Sequence, residues 1–434
     1  MYFLDFLPLL IIFAGTFLIV KLRFFFIAHP IKVARHFLSE IKDKRAKRSL
    51  SLALAGTLGV GNIVGVAYGI EVGGAGCVFW MLASSLFASV IKFCECTLSA
   101  DCRGEDSGGM MYVLKSKFGK IGARVGGVYA FLCLALSFSM GAALQSNAVV
   151  GAVNGVCNLP PWIVSAVLCL VSCLVVLGGK GRISRATEKI IPIATIVYIM
   201  LCLAIITLSF DSLFPLFSSI VSEAFSFKSA GVGILTFLFS ASVREGFARG
   251  LLSNEAGCGT SSLAQSEANH TTPAGVGLLG MCEVFFDTTL LCTLTAIVLL
   301  LTPNAFCAGS GIYAVLFAFE YSFGTLGAYL LLMLIFAFAY STIICWYYYG
   351  ILACEYLFLK DMPYMFFFLF MLSLFIGGVS SVRYVILFSD TVLLLLSIIT
   401  LTVLIKSSAR IRFLTEQYGL IENSDVRGGR GGKR

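Results

Sequence analysis

The chain has 434 residues, 59% of them hydrophobic and only 12% charged, with a mean hydropathy of +0.95. This balance excludes a soluble globular domain and describes an all-α polytopic membrane protein whose first partner is the lipid bilayer. The formal charge of +8 follows from where lysine and arginine flank apolar runs, so nucleic acid is not an expected partner.

A first span is predicted at 6–20. Its leading MYFLDFLP is acidic and carries no small-residue cleavage site, which reads as a retained span and not a signal peptide. After a basic segment at 26–48 comes a charge-free run at 49–70, SLSLALAGTLGVGNIVGVAYGI, with Gly56, Gly59, Gly61, Gly65 and Gly69 around Asn62. The run is long enough to span a bilayer, yet glycine at this density weakens a helix. Broken backbone survives in lipid only where protein buries it or it lines a cavity, and transporters use such breaks to expose backbone groups to substrate and ion. A close-packing face with Gly61/Gly65 spacing is the alternative.

Further spans are predicted at 72–91, two within 125–179 hinged at Pro160-Pro161, then at 190–210, 228–250, 288–319, 321–354, 362–382 and 384–405, the last with Asp390 near one end. That makes eleven. Starting outside, eleven crossings put 21–50, 92–124, 180–189, 244–274, 355–362 and 406–434 on one face, with 29 of the 31 Lys and Arg. Positive residues favour the cytoplasm, so the N-terminus is expected outside and the C-terminus inside, in the cell (inner) membrane. Most of the fifteen cysteines lie in apolar runs as small hydrophobes, and no C-x-x-C pair occurs. Cys157 and Cys307 fall in outer loops, where they could bridge. The three histidines are scattered, and no nucleophile–base pair or metal-ligand pattern is legible, so no enzyme and no cofactor is expected.

Several motifs then occur in order. GTLGVGNIVGVAYGI is followed by GGAG at 73–76, FWM at 79–81 and K-F-x-E-x-x-L at 92–98. Next come Gly108-Gly109 with Met111-Tyr112, LQSN at 144–147, Gly178-Gly179 with Arg182, and R-x-G-x-x-R-G at 244–250. SNEAGCG at 253–259, VFFDT at 284–288, CTLTA at 292–296 and STIICWYYYG at 341–350 complete the set. Over nearly its whole length the chain resembles the alanine or glycine:cation symporter family. The resemblance implies a leucine-transporter-like fold of the APC superfamily: an extra N-terminal helix (1–25), the basic cytoplasmic segment (26–48), two inverted five-helix repeats (49–210 and 228–406), and a basic, partly disordered tail (407–434). It implies a monomeric importer of a small neutral amino acid, alanine or glycine, with sodium as the coupling ion. A proton-coupled permease and an amino-acid sensor on the same fold are the alternatives. Departures from the family pattern occur at Ala75, Ile234, Thr236, Gln265 and Glu267, and bear on substrate choice.

The candidate site begins at the glycine break. Unwinding past Gly56 and Thr57 would free the amides of Val60 and Gly61 at a half-helix N-terminus for a substrate carboxylate, a cradle that a side chain at Gly61 would crowd. The carbonyls of Ala55 and Leu58 would be free for a cation. The resemblance brings the hydroxyls of Ser341 and Thr342 to those carbonyls. Taken alone, each hydroxyl could instead bond back to its own helix. Asp287, placed near the start of core helix seven, is expensive in an apolar setting and so a functional candidate, and the resemblance implies a second cation ligand there with Asn62; a structural carboxylate, bonded to a neighbouring helix end or paired with Arg244 or Arg249, is the alternative. Gln145 and Asn147 need partners in hydrocarbon; by resemblance Gln145 faces the substrate, as Thr236 does from core helix six. Trp346 lies one turn past Thr342 and would wall the pocket. The 253–255 segment and Lys92, Glu95 and Arg103 are expected at the inner face, as a gate and a charge network.

Overall fold

The computed structural model describes residues 6–103, 108–226, 240–265, 272–358 and 363–421, and every regular element among them is a helix. Lys228, Ile234, Thr236, Glu267 and the tail beyond 421 lie outside the described residues.

The apolar N-terminal run forms α1 (Leu7–Lys21), and the basic segment forms an interfacial helix, α2 (Pro30–Glu40). Asp43 then caps α3 (Lys44–Thr57), its carboxylate accepting from the amides of Arg45 (2.6 Å) and Ala46 (3.3 Å). The chain resumes as α4 (Val64–Gly73) after a break, and the two halves are bent by 58°. Next come α5 (Gly76–Asp101), α6 (Met110–Cys157), α7 (Pro161–Val176), α8 (Lys180–Leu208) and the short α9 (Leu213–Ala224). Pro161 opens α7 at a position where its missing N–H costs nothing. The second half holds α10 (Ala241–Asn254), α11 (Ser261–Ala264), α12 (Pro273–Leu301), α13 (Ile312–Phe323), α14 (Thr325–Phe358), α15 (Pro363–Val379), α16 (Val382–Lys406) and α17 (Ser408–Gln417). By length and composition six described helices can cross a membrane, seven if the bent pair is one span, and four more are apolar but shorter.

The helices run past the charge-free windows because buried charges lie inside them. Lys92 and Glu95 sit within α5, and Glu283 starts a turn before Asp287 within α12, so Asp287 is in the middle of its helix and not near the start. The segment 244–254 is not in a loop on the basic face. Gly73 and Ala241 abut so closely that a Cβ on Gly73 would lie 3.2 Å from the Ala241 carbonyl. Helix α10 therefore begins at the end of the bundle away from Lys44. Arg244 and Arg249 leave the basic face, lowering its share from 29 to 27 of 31. Arg249 is buried there, 2.7 Å from Asp390 of α16 and 3.5 Å from Glu245. Cys157 and Cys307 are both free and exposed.

Candidate functional site: two broken helices facing a buried aspartate

Leu58 leaves helical geometry (ψ 62°), Gly59 is extended, and a single tight turn, Val60–Asn62, precedes α4. The groups released at the end of α3 are taken up by one face of α14. Cys345 Sγ donates to the Leu52 carbonyl (3.2 Å), Thr342 Oγ1 to the Ala55 carbonyl (2.8 Å) and Trp346 Nε1 to the Gly56 carbonyl (3.2 Å). Residues three and four apart share that face, which is how one helix serves three carbonyls in the last two turns of α3. Ser341 turns away and donates to Ala337 and Phe338 of its own helix. Thr57 is buried and bonds back to Ala53.

On the other side of the break, Gln145 Oε1 accepts from the Val60 amide at 3.1 Å, so a side-chain carbonyl occupies the place expected for a substrate carboxylate oxygen. Its Nε2 donates to Met140 in a π-helical turn, Ser137–Ala143, that interrupts α6. Asn147 instead ties α6 to the end of α15, donating to Gly377 and Ser380. The tight approach is at Gly59: a Cβ there would lie 2.8 Å from Thr342 Oγ1 and 3.0 Å from both Gln145 amide atoms. Gly61 faces open space, its nearest atom the Leu252 carbonyl at 4.0 Å. Trp346 is fully buried against Gly141 and Tyr349.

Asn62 reaches Asp287, its Nδ2 2.5 Å from Oδ1. The other carboxylate oxygen accepts from Ser253 (2.5 Å) and Thr288 (2.8 Å), and Thr288 in turn accepts from Asn254 (2.9 Å). Asp287 sits in a second π-helical turn, Phe285–Cys292, the kind of insertion that recurs at functional sites. It pairs with neither arginine, since Arg249 is held by Asp390. Asn62 Oδ1 is buried with no partner. A buried carboxylate fed only by neutral donors, beside an orphan carbonyl oxygen, is a donor set that suits a monovalent cation.

Ser253 and Asn254 end α10, and here, in the segment expected to act as a gate, the chain breaks a second time. Glu255, Gly257 and Gly259 all adopt positive φ, turning the chain before α11. Residues 254–264 are buried. Lys92 and Glu95 belong to this buried region, while Arg103 is partly exposed. The paired glycines of AGCG were the available signal, hidden beneath flanking polar residues.

A family model for the sodium:alanine symporter family matches residues 1–425. The chain belongs to that family. It is 33% identical over 375 residues to the sodium/alanine symporter AgcS of Methanococcus maripaludis, covering 81% of each chain. It is 34% identical over 365 residues to an uncharacterized transporter of Haemophilus influenzae, covering 79% of this chain and 78% of that one. Among solved structures it is similar in fold to a mutant of the Eremococcus coleocola manganese transporter, with a TM-score of 0.56 and 13% identity over 88% of this chain and 89% of that one. The family member is thus a multi-pass membrane protein of cation-coupled amino-acid transport, a symporter and not an enzyme.

Proposed function

We propose that the chain imports a small neutral amino acid, alanine or glycine, with sodium, by alternating access about the breaks at 58–63 and 255–260. The observation that carries this reading is the first break: α14 occupies its carbonyls, Gln145 occupies its Val60 amide, and Asn62 links it to Asp287. An entering substrate carboxylate takes the Val60 amide from Gln145, whose amide then turns to the substrate. Thr342 with the Ala55 and Leu58 carbonyls forms one cation site, and Asn62 with Asp287 forms the other. Trp346 and the absence of room above Gly59 limit the substrate side chain to a methyl or less. Eleven spans with the N-terminus outside, and two inverted five-helix repeats, make the two breaks counterparts: each follows a helix of 14 residues.

One sodium moving inward gains about 2.3 kcal/mol per 100 mV, enough for roughly fifty-fold accumulation before its own gradient is counted. The test is uptake of labelled alanine into proteoliposomes with an imposed sodium gradient, with and without a proton uncoupler. Sodium-driven uptake that survives the uncoupler supports the proposal; uptake driven by a proton gradient alone refutes sodium coupling.

A further inference from the structure

The second break is wrapped by charge that the transport reading leaves unused. Lys92 and Glu95 of α5, Glu255 in the break and Glu283 of α12 all have no exposed surface. Lys92 Nζ lies 3.3 Å from Glu283 Oε1 and donates to the Asn254 carbonyl at 2.5 Å. Each glutamate holds one piece of the turn. Glu95 Oε1 accepts from the Gly259 amide (3.3 Å), Glu255 Oε2 from Thr260 (2.5 Å) and Glu283 Oε1 from Ser261 (2.7 Å).

The opposite oxygens, Glu95 Oε2, Glu255 Oε1 and Glu283 Oε2, are buried with no hydrogen-bond partner. The hydroxyl of Tyr349 on α14 is also buried, beside Cys345 and near Glu255 and Glu283. The remaining titratable groups facing the cluster are Cys94 and Cys96 of α5, Tyr129 and Cys133 of α6, Cys258 in the break, Asp287 of α12 and Cys345 of α14. None of them supplies positive charge. Fully ionised, the cluster sets three negative charges against one lysine, with a bare oxygen on each carboxylate, in a setting where an uncompensated charge is strongly disfavoured. Among the described residues no His, Cys, Asp and Glu group has a metal-binding arrangement. A proton resolves both problems at once: it removes one negative charge and turns one bare oxygen into a donor for another, as neighbouring carboxyls do when they share a proton.

We propose that Glu95, Glu255 and Glu283 form a proton-binding site, distinct from the Asn62–Asp287 pair, that holds at least one exchangeable proton when the transporter is closed. A carboxylate takes up a proton from water as the site opens and releases it to water when it deprotonates. Because the three glutamates hold the turn that follows Ser253 and Asn254, the proton sets the charge at the hinge beside Asp287. The inference does not depend on which ion drives uptake.

The test is infrared difference spectroscopy of the purified full-length protein in lipid, titrated with pH, with and without saturating sodium. At neutral pH a protonated-carboxyl band is expected that fades at alkaline pH, shifts when glutamate is isotope-labelled, and survives Asp287→Asn. It should vanish in at least one of Glu95→Gln, Glu255→Gln and Glu283→Gln, since Gln copies a protonated Glu in shape. The absence of any such band overturns the proposal. So does a band that does not move with labelled glutamate, one that sodium erases, or one that persists in every Gln variant that folds. The labelling result stands on the unmodified protein and so decides even if a variant misfolds.

Discussion

Gly59 and Gly61 lie two residues apart in the same break, and the structure predicts opposite outcomes for adding a methyl group to each. Gly59 has φ −103° and ψ −163°, a conformation open to any L-residue, so Gly59→Ala introduces no backbone strain. Its effect is purely one of space. The new Cβ would lie 2.8 Å from Thr342 Oγ1 and 3.0 Å from both amide atoms of Gln145. To restore ordinary contact these groups must retreat by about half an ångström, which pulls Thr342 from the Ala55 carbonyl and Gln145 from the Val60 amide. A buried polar group left unpaired costs about 1–3 kcal/mol, so losing one of these bonds weakens ligand binding by roughly 5–150-fold. Gly61→Ala meets nothing nearer than 4.0 Å and should change half-saturation by less than about twofold. Proteoliposome uptake as a function of alanine and of sodium reads both numbers, with thermal melting in detergent as the check on folding. A Gly59→Ala protein with normal half-saturation for both ligands would refute the reasoning, as would equal losses at the two positions.

Thr342→Ala should weaken apparent sodium affinity by about 1 kcal/mol or more, roughly fivefold, whereas Ser341→Ala, whose hydroxyl serves its own helix, should leave sodium dependence nearly unchanged; sodium titrations of uptake separate them. Trp346→Leu opens space beside the first break, so serine, threonine or valine should gain on alanine by about tenfold, the scale of one or two methylenes in an apolar pocket; a uniform loss across a competition panel would show that the indole only packs against Gly141. Arg249→Met strands Asp390 in the bundle, while Glu245 keeps Arg244 at 3.4 Å, and should destabilise by about 3–5 kcal/mol, whereas Arg249→Met with Asp390→Leu should recover most of the loss in a melting assay.

The helical class, the first break and the meeting of Asn62 with Asp287 were legible because each leaves a local mark: apolar length, glycine density, an isolated carboxylate. Helix ends were not, wherever two charges neutralise each other inside the bundle. Lys92 ended one charge-free window and Glu283 lay ahead of another, yet they lie 3.3 Å apart with no exposed surface. A pair separated by 191 residues cannot be recognised by scanning one window at a time. The second break was missed for the same reason. SNEAGCG reads as a polar loop until Lys92, Glu95 and Tyr129 are brought up to its backbone. Ser341 and Thr342, adjacent in the same motif, point to different partners, a distinction that only the rotational setting of α14 decides.

That setting has a counterpart in the two π-helical turns. Each widened turn takes up an extra residue in an otherwise regular helix: Ser137–Ala143 lies just ahead of Gln145, and Phe285–Cys292 contains Asp287. In an α-helix one residue corresponds to about 100° of rotation. Deleting a single residue from either turn would let the helix regularise, with every backbone bond still satisfied and the apolar length hardly changed. The segments beyond the deletion would keep nearly their present phase, because the widened turn already absorbs that rotation; what would be lost is the turn itself, with the Met140 carbonyl that receives Gln145 Nε2 in one case and the seat of Asp287 in the other. A chain that lost one residue at either point would keep a membrane-spanning helix with its outer faces unchanged and lose only the local seat of Gln145 or of Asp287, so these widened turns are places where the site can be altered without any substitution in it.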